Sequence, residues 1–114
     1  MIHEMKLQPK YFDLIKSREK IYEIRLFDEK RKQLKLGDTL IFKKEPELTE
    51  ELKTRIVNLV EFPSFEVMTK FICPKFIGMD GMTPEEIVET YHQFYSPEQE
   101  AKYGVLAIMV DLKR

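Results

Sequence analysis

The run Val105–Leu112 is apolar on both faces of an extended chain, with Val105, Ala107 and Met109 on one side and Leu106, Ile108 and Val110 on the other. It is far shorter than the roughly 20 apolar residues that span a bilayer. Such a run reads as a central strand, paired along both edges and covered on both faces. The rest of the chain must therefore supply neighbouring strands and a covering layer. His3, Met5 and Leu7 alternate with Glu4 and Lys6, which predicts a short half-buried strand. A second strand is expected from Lys20 to about Leu26, with Tyr22, Ile24 and Leu26 on one face and Ile21, Glu23 and Arg25 on the other. Gly37-Asp38 is a turn signal leading into a strand over Thr39–Lys43. Thr54–Val60 shows little polar alternation and is expected to be a well-covered strand.

Helices fill the intervals. Pro9 suits a first helical turn, where its missing N–H is no loss, and Tyr11, Leu14 and Ile15 form the expected inner stripe. Phe65, Met68 and Ile72 fall at helical spacing. Thr83-Pro84-Glu85-Glu86 and Ser96-Pro97-Glu98-Gln99 are capping boxes with proline at the first helical position. The first of these helices is expected to bury Ile87, Val88, Tyr91 and either Phe94 or Tyr95, and the second to stop at Gly104. The basic stretch 28–36 and the acidic stretch 45–51 are connections. Five strands and about four short helices give an α+β fold with a curled mixed sheet or small barrel, one domain over residues 1–114.

Charge is unevenly distributed. The formal net charge is −1, yet residues 1–44 hold 12 Lys and Arg against 7 Asp and Glu, and residues 45–114 hold 7 against 13. A basic face on a nearly neutral protein attracts phosphates whatever the total charge. Cys73 is the only cysteine, so neither an intrachain disulfide nor a cysteine-based zinc site is available, and it reads as a small buried hydrophobe. The polar start Met1-Ile2-His3-Glu4 has no secretory apolar region, which places the expected location in the cytoplasm, away from any membrane. His3 and His92 have no partner at metal-motif spacing, and they read as packed residues. No glycine-rich phosphate loop and no Gly-x-Ser-x-Gly is present, so P-loop nucleotidases, dinucleotide enzymes and serine hydrolases are poorly supported. No metal or cofactor is expected.

The candidate chemistry lies in Lys20, Glu23 and Arg25. Glu23 and Arg25 share a strand face two residues apart, so their side chains are expected to pair on the concave side, with Lys20 near the mouth. Lys20 and Arg25 suit a phosphate or a base edge, and Glu23 suits orienting them or accepting a proton. Tyr95 and Tyr103 flank the helix that begins at Ser96, and either suits a stacking platform for a base.

Further residues resemble a known family. His3-x-Met5-x-Leu7-x-Pro9-x-x-Phe12-x-x-Ile15, Lys20-x-x-Glu23-x-Arg25, Asp28-x-Lys30-Arg31, Gly37-Asp38-x-Leu40-x-Phe42 and the closing Tyr103–Ile108 resemble the ASCH domain, a member of the PUA-like superfamily of small β-barrels. The family signature Gly-x-Lys-x-x-Glu-x-Arg is met at three of its four positions, with Arg18 in place of the glycine. The resemblance implies binding of RNA or modified bases in the cleft beside this strand. Some short members are similar to amidohydrolases acting on N4-acetylcytidine through a lysine, a threonine and an acidic residue. Those positions here are Lys20, Glu23 and Asp80, so two of the three depart from that pattern. Other relatives are described as nucleases, a chemistry the Lys20, Tyr95 and Ser96 region would accommodate.

Two functions follow. One is a binding module holding single-stranded RNA, a nucleotide or a nucleoside, with phosphates on Lys20, Arg25, Lys30, Arg31 and Lys35 and base contacts from Glu23 and a tyrosine. The other is a hydrolase using Lys20 as nucleophile or base. A Lys20 buried beside Arg25 with depressed proton affinity favours the hydrolase, and an exposed one paired to a carboxylate favours binding.

Overall fold

In the computed structural model, which describes residues 1–113, Val105–Leu112 forms the strand β5, hydrogen-bonded on both sides. The other strands are β1 (Ile2–Leu7), β2 (Tyr22–Leu26), β3 (Thr39–Lys44) and β4 (Glu51–Phe62), and the sheet runs β1-β3-β4-β5-β2. The β1–β3 pair is parallel and the others are antiparallel, so the sheet is mixed. The helices are α1 (Pro9–Lys16), α2 (Phe65–Phe71), α3 (Pro84–His92) and α4 (Pro97–Tyr103). Together they make an α+β fold around a curled half-barrel.

β4 produces the curl. Its first half pairs with β3 over Glu51–Arg55, and from Thr54 onward it pairs with β5, with a bulge between Ile56 and Asn58. A bulge bends the strand and tightens its twist, so one long strand serves both halves of the sheet. Only Thr54 and Ile56 of the expected Thr54–Val60 run are buried, whereas Val57 and Asn58 are exposed and Leu59 and Val60 half-buried. The expectation of full cover thus fails, because the bulge turns the middle of the run outward.

The two faces of β5 build two cores. Leu106, Ile108 and Val110 pack inside the curl with Met5, Leu7, Phe12, Ile15, Leu40 and Phe42. Val105 and Ala107 pack with Ile24, Leu26, Phe65, Met68, Ile77 and Ile87 under the helices. α1 buries Phe12 and Ile15, and leaves Tyr11 and Leu14 half-buried. Its inner stripe is therefore rotated from the expected one, since α1 plugs the barrel end while Tyr11 and Leu14 lie against the loop at Gly78. α3 buries Ile87 and Tyr91, leaves Val88 and Tyr95 half-buried, and leaves Phe94 exposed. Both capping boxes are formed, and α4 stops at Gly104. Cys73 is exposed rather than buried, because it caps the single turn Pro74–Ile77 instead of packing beneath it. No helix among the described residues is long and apolar enough to cross a membrane.

Candidate functional site

Lys20 ends the reversal after α1. Its amide donates to the Leu14 carbonyl, and Arg18 just before it has φ +69°, a left-handed conformation that favours glycine. This is the position of the family's glycine, and the backbone keeps the glycine-like turn with arginine in it. The strand proper begins at Tyr22, two residues later than expected.

The Lys20 side chain is 2% exposed and lies at the floor of the cleft, not near its mouth. Its Nζ donates to the Tyr22 carbonyl at 2.6 Å and to the Ile77 carbonyl at 3.2 Å, and it meets Glu23 Oε1 at 3.2 Å. These three acceptors match the three hydrogens of an ammonium group. The ammonium also sits 5.5 Å from the centre of the Tyr11 ring. Glu23 turns its other oxygen to Arg25, whose Nε donates at 2.6 Å. Arg25 Nη2 then donates to the Lys6 carbonyl at 2.9 Å. Since β1 and β2 are the two edges of the sheet, Arg25 bridges the open seam of the half-barrel. Glu23 and Arg25 pair across from Ile108 and Leu106, whose side chains fill the curl, so both face its concave side as expected.

Burial and charge act in opposition here. Burial lowers the proton affinity of Lys20, and Glu23 only partly restores it. Burial alone would raise the Glu23 pKa, but Lys20 and Arg25 outweigh it and hold the carboxyl below its usual range. Glu23 is therefore an anion near neutral pH. The Arg25 guanidinium, penalised by burial, is held charged by Glu23.

These residues line a cavity of about 230 Å³ together with Tyr11, Tyr91, Phe94, Tyr95, Met79 and Glu45. Phe65, fully buried, stacks on Tyr91 with ring centres 4.7 Å apart and on Tyr95 at 6.0 Å, and it fixes this aromatic wall. Its amide donates to Glu100 Oε2 at 2.7 Å, and Glu100 Oε1 meets His92 Nε2 at 2.7 Å. One buried carboxylate thus ties together the start of α2, the end of α3 and α4.

Of the residues singled out from sequence, Lys20, Glu23, Arg25 and Tyr95 come together in this cavity. Asp80 does not line it and is exposed, because it lies in the turn after Met79 rather than on the inward side. Lys30 is exposed and Arg31 is paired with Asp28 at 2.8 Å, both at the short turn Arg31–Gln33, outside the cavity. The Ser96 hydroxyl caps α4 by accepting from the Gln99 amide. Tyr103 packs on the helical side of the sheet. Sequence reasoning did not place Tyr11, Tyr91, Phe94 or Glu45 in the site. Tyr11 and Tyr91 read from sequence as helix-stripe residues, and no local pattern separates a stripe residue that packs from one that borders a cavity. His3 pairs with Asp38 at 2.8 Å, and His92 with Glu100.

The ASCH domain model matches residues 5–114. Hypothetical protein PH0355, known from a crystal structure, is 38% identical over 99% of this chain and 100% of its own, with a TM-score of 0.90. Protein PF0455 from Pyrococcus furiosus, solved by NMR, is 37% identical over 98% of this chain and 97% of its own, with a TM-score of 0.77. An ASCH protein from Zymomonas mobilis, solved as a single-residue mutant, shares the fold at 10% identity, covering 95% of this chain and 66% of its own with a TM-score of 0.65. No curated protein matches the sequence. The extent of the family match, with the Lys20-Glu23-Arg25 strand in place, shows that this chain belongs to the ASCH domain family.

Proposed function

We propose that the protein binds single-stranded RNA, or a free nucleotide or nucleoside, by taking one base into the cavity at Glu23. The observation that carries this reading is an ionised, buried carboxylate set in an aromatic-lined cavity. A carboxylate has about four lone-pair positions, and the bonds from Lys20 and Arg25 occupy one on each oxygen. The remaining ones accept hydrogens from the exocyclic amine of a base. At ~30 Å³ per water, 230 Å³ holds about eight waters, which suits one heterocycle and not a duplex. Bases of a single strand can be splayed into such a site and stacked on tyrosine or phenylalanine. Phe94, 57% exposed at the cavity rim, is available to a neighbouring base. Lys30, Arg31 and Lys35, which lie outside the cavity, would meet the phosphates of a longer strand.

Titration of short single-stranded RNA at several salt concentrations tests this. Binding that weakens with salt is expected, and each lost phosphate contact in Lys30→Ala/Arg31→Ala should reduce the slope of log K by about 0.7. A slope unchanged by that double substitution removes the basic turn from the interface, and absence of binding at low salt removes the reading.

Hydrolysis of a modified nucleoside is the second reading, favoured by the buried Lys20 with its lowered proton affinity. The three acceptors around Nζ speak against it, because an ammonium that donates three bonds presents no lone pair to a substrate. The purified protein is expected to leave N4-acetylcytidine and RNA intact. Turnover at the usual enzymatic rates of about 1–1000 per second, abolished in Lys20→Ala, would establish the hydrolase instead.

A further inference from the structure

We propose that the hydroxyl of Tyr91 is a ligand contact which, beside Glu23, restricts the cavity to bases presenting an exocyclic amine next to a hydrogen-bond acceptor. This rests on the base-binding reading above and names what that site selects.

Tyr91 is 7% exposed and lines the cavity. Buried tyrosines usually satisfy their hydroxyl with a protein partner. Among the described residues the Tyr91 hydroxyl has none, and it is not among the buried polar atoms sealed without a partner, so it keeps an opening to the cavity. The ring cannot easily turn away. It stacks on Phe65 with only 6° between the planes, and Phe65 is itself fully buried and held through its amide to Glu100. The result is a fixed phenol whose hydroxyl contributes no bond to the fold. Tyr11 and Tyr95 also border the cavity, but both are half-buried and less constrained.

The groups facing Tyr91 define its role. Burial first, and then the charge of Glu23 with Tyr11 and Tyr95 nearby, raises its pKa well above 10.0, against a smaller opposing effect of Arg25. The hydroxyl thus stays protonated and can donate. A base edge carrying an amine beside a ring nitrogen or carbonyl gives its hydrogen to Glu23 and accepts one from Tyr91. In the pose where cytosine gives its amine to Glu23, uracil presents O4 to the carboxylate instead, and its one donor, the ring N3–H, reaches Glu23 only if the base shifts in the cavity. Cytosine and adenine meet the requirement.

The experiment compares oligo-C, oligo-A and oligo-U single strands of equal length against wild type and Tyr91→Phe. Wild type is expected to bind oligo-C and oligo-A roughly tenfold more tightly than oligo-U, as one good hydrogen bond implies. Tyr91→Phe should bind oligo-C and oligo-A severalfold more weakly, narrow that preference, and melt at the same temperature or higher. A preference undiminished in Tyr91→Phe overturns the proposal, as does a parallel loss of stability and of binding to all three strands. The wild-type protein labelled with ¹³C at tyrosine Cζ gives a second measurement. Oligo-C should shift the Tyr91 resonance, and an unmoved resonance in the bound state also overturns it. Wild-type protein that binds none of the strands refutes the base-binding reading itself, a result distinct from binding that ignores Tyr91.

Discussion

Two clusters built from the same kinds of side chain differ sharply in burial in this molecule. In the cavity, Lys20 meets Glu23 at 3.2 Å. On the outer surface, Lys44 meets Asp13 at 3.0 Å and Glu50 at 3.8 Å, and Glu50 also meets Lys16 at 3.1 Å. The distances are alike, yet the two lysines shift in opposite directions. Lys44 is raised, chiefly by its hydrogen bond to Asp13, because solvent charges it little for being an ion. Lys20 is lowered, because burial outweighs its carboxylate partner. Proximity of opposite charges therefore does not fix the energetics. The solvent removed from them does, and a buried ion pair stands only while every member is present.

The largest expected effect comes from breaking the buried cluster. Glu23→Ala leaves Lys20 and Arg25 desolvated without a counter-ion, and unfolding in urea at neutral pH should show a loss of about 3–5 kcal/mol. A loss no larger than that of Asp13→Ala would erase the distinction between the clusters. The pH dependence sharpens the same point. The folded-state pKa of Glu23 lies below its ordinary 4.5, so its stabilising contribution is complete above that value and fades as pH falls through the folded pKa. Lys20 gives a slope of the same sign in a higher window: charged and buried it costs stability below its folded pKa, and stability rises as pH climbs from there toward 10.5. The acid loss should flatten in Glu23→Gln.

A smaller effect separates two glycines with nearly the same backbone. Gly78 has φ +81° and Gly81 φ +83°, and alanine in that left-handed region costs about 1–2 kcal/mol. A Cβ at Gly81 meets open space, whereas at Gly78 it would lie 3.0 Å from Lys20 Cδ and 3.2 Å from Tyr11. Gly78→Ala is expected to exceed Gly81→Ala by about 1 kcal/mol or more and to weaken RNA binding, which Gly81→Ala should leave alone. Equal costs would show that Lys20 is free to shift. The smallest effect is expected of Lys44→Ala, whose change in melting temperature should vanish in concentrated salt.

Local pattern was enough to reveal much of this fold. The two-sided apolar run of β5, the two capping boxes and the Gly37-Asp38 turn each depend on residues within one or two turns of chain, and each formed as expected. The Glu23–Arg25 pair was legible for the same reason, since a strand places residues two apart side by side. The course of β4 was not legible, because its bulge is set by two partners it must satisfy in turn.

The sequence by itself determined which residues carry charge on β2 and which face of that strand they share. Only the tertiary structure decided what those charges are worth. Lys20 became a buried ammonium because the Ile77 carbonyl, 57 residues away, and the bare backbone of Gly78 close over it. Tyr11 and Tyr91 became cavity walls because α1 and α3 bring them to Glu23 from opposite ends of the chain. Desolvation depends on every atom that displaces water from a group, and most of those atoms are distant in sequence.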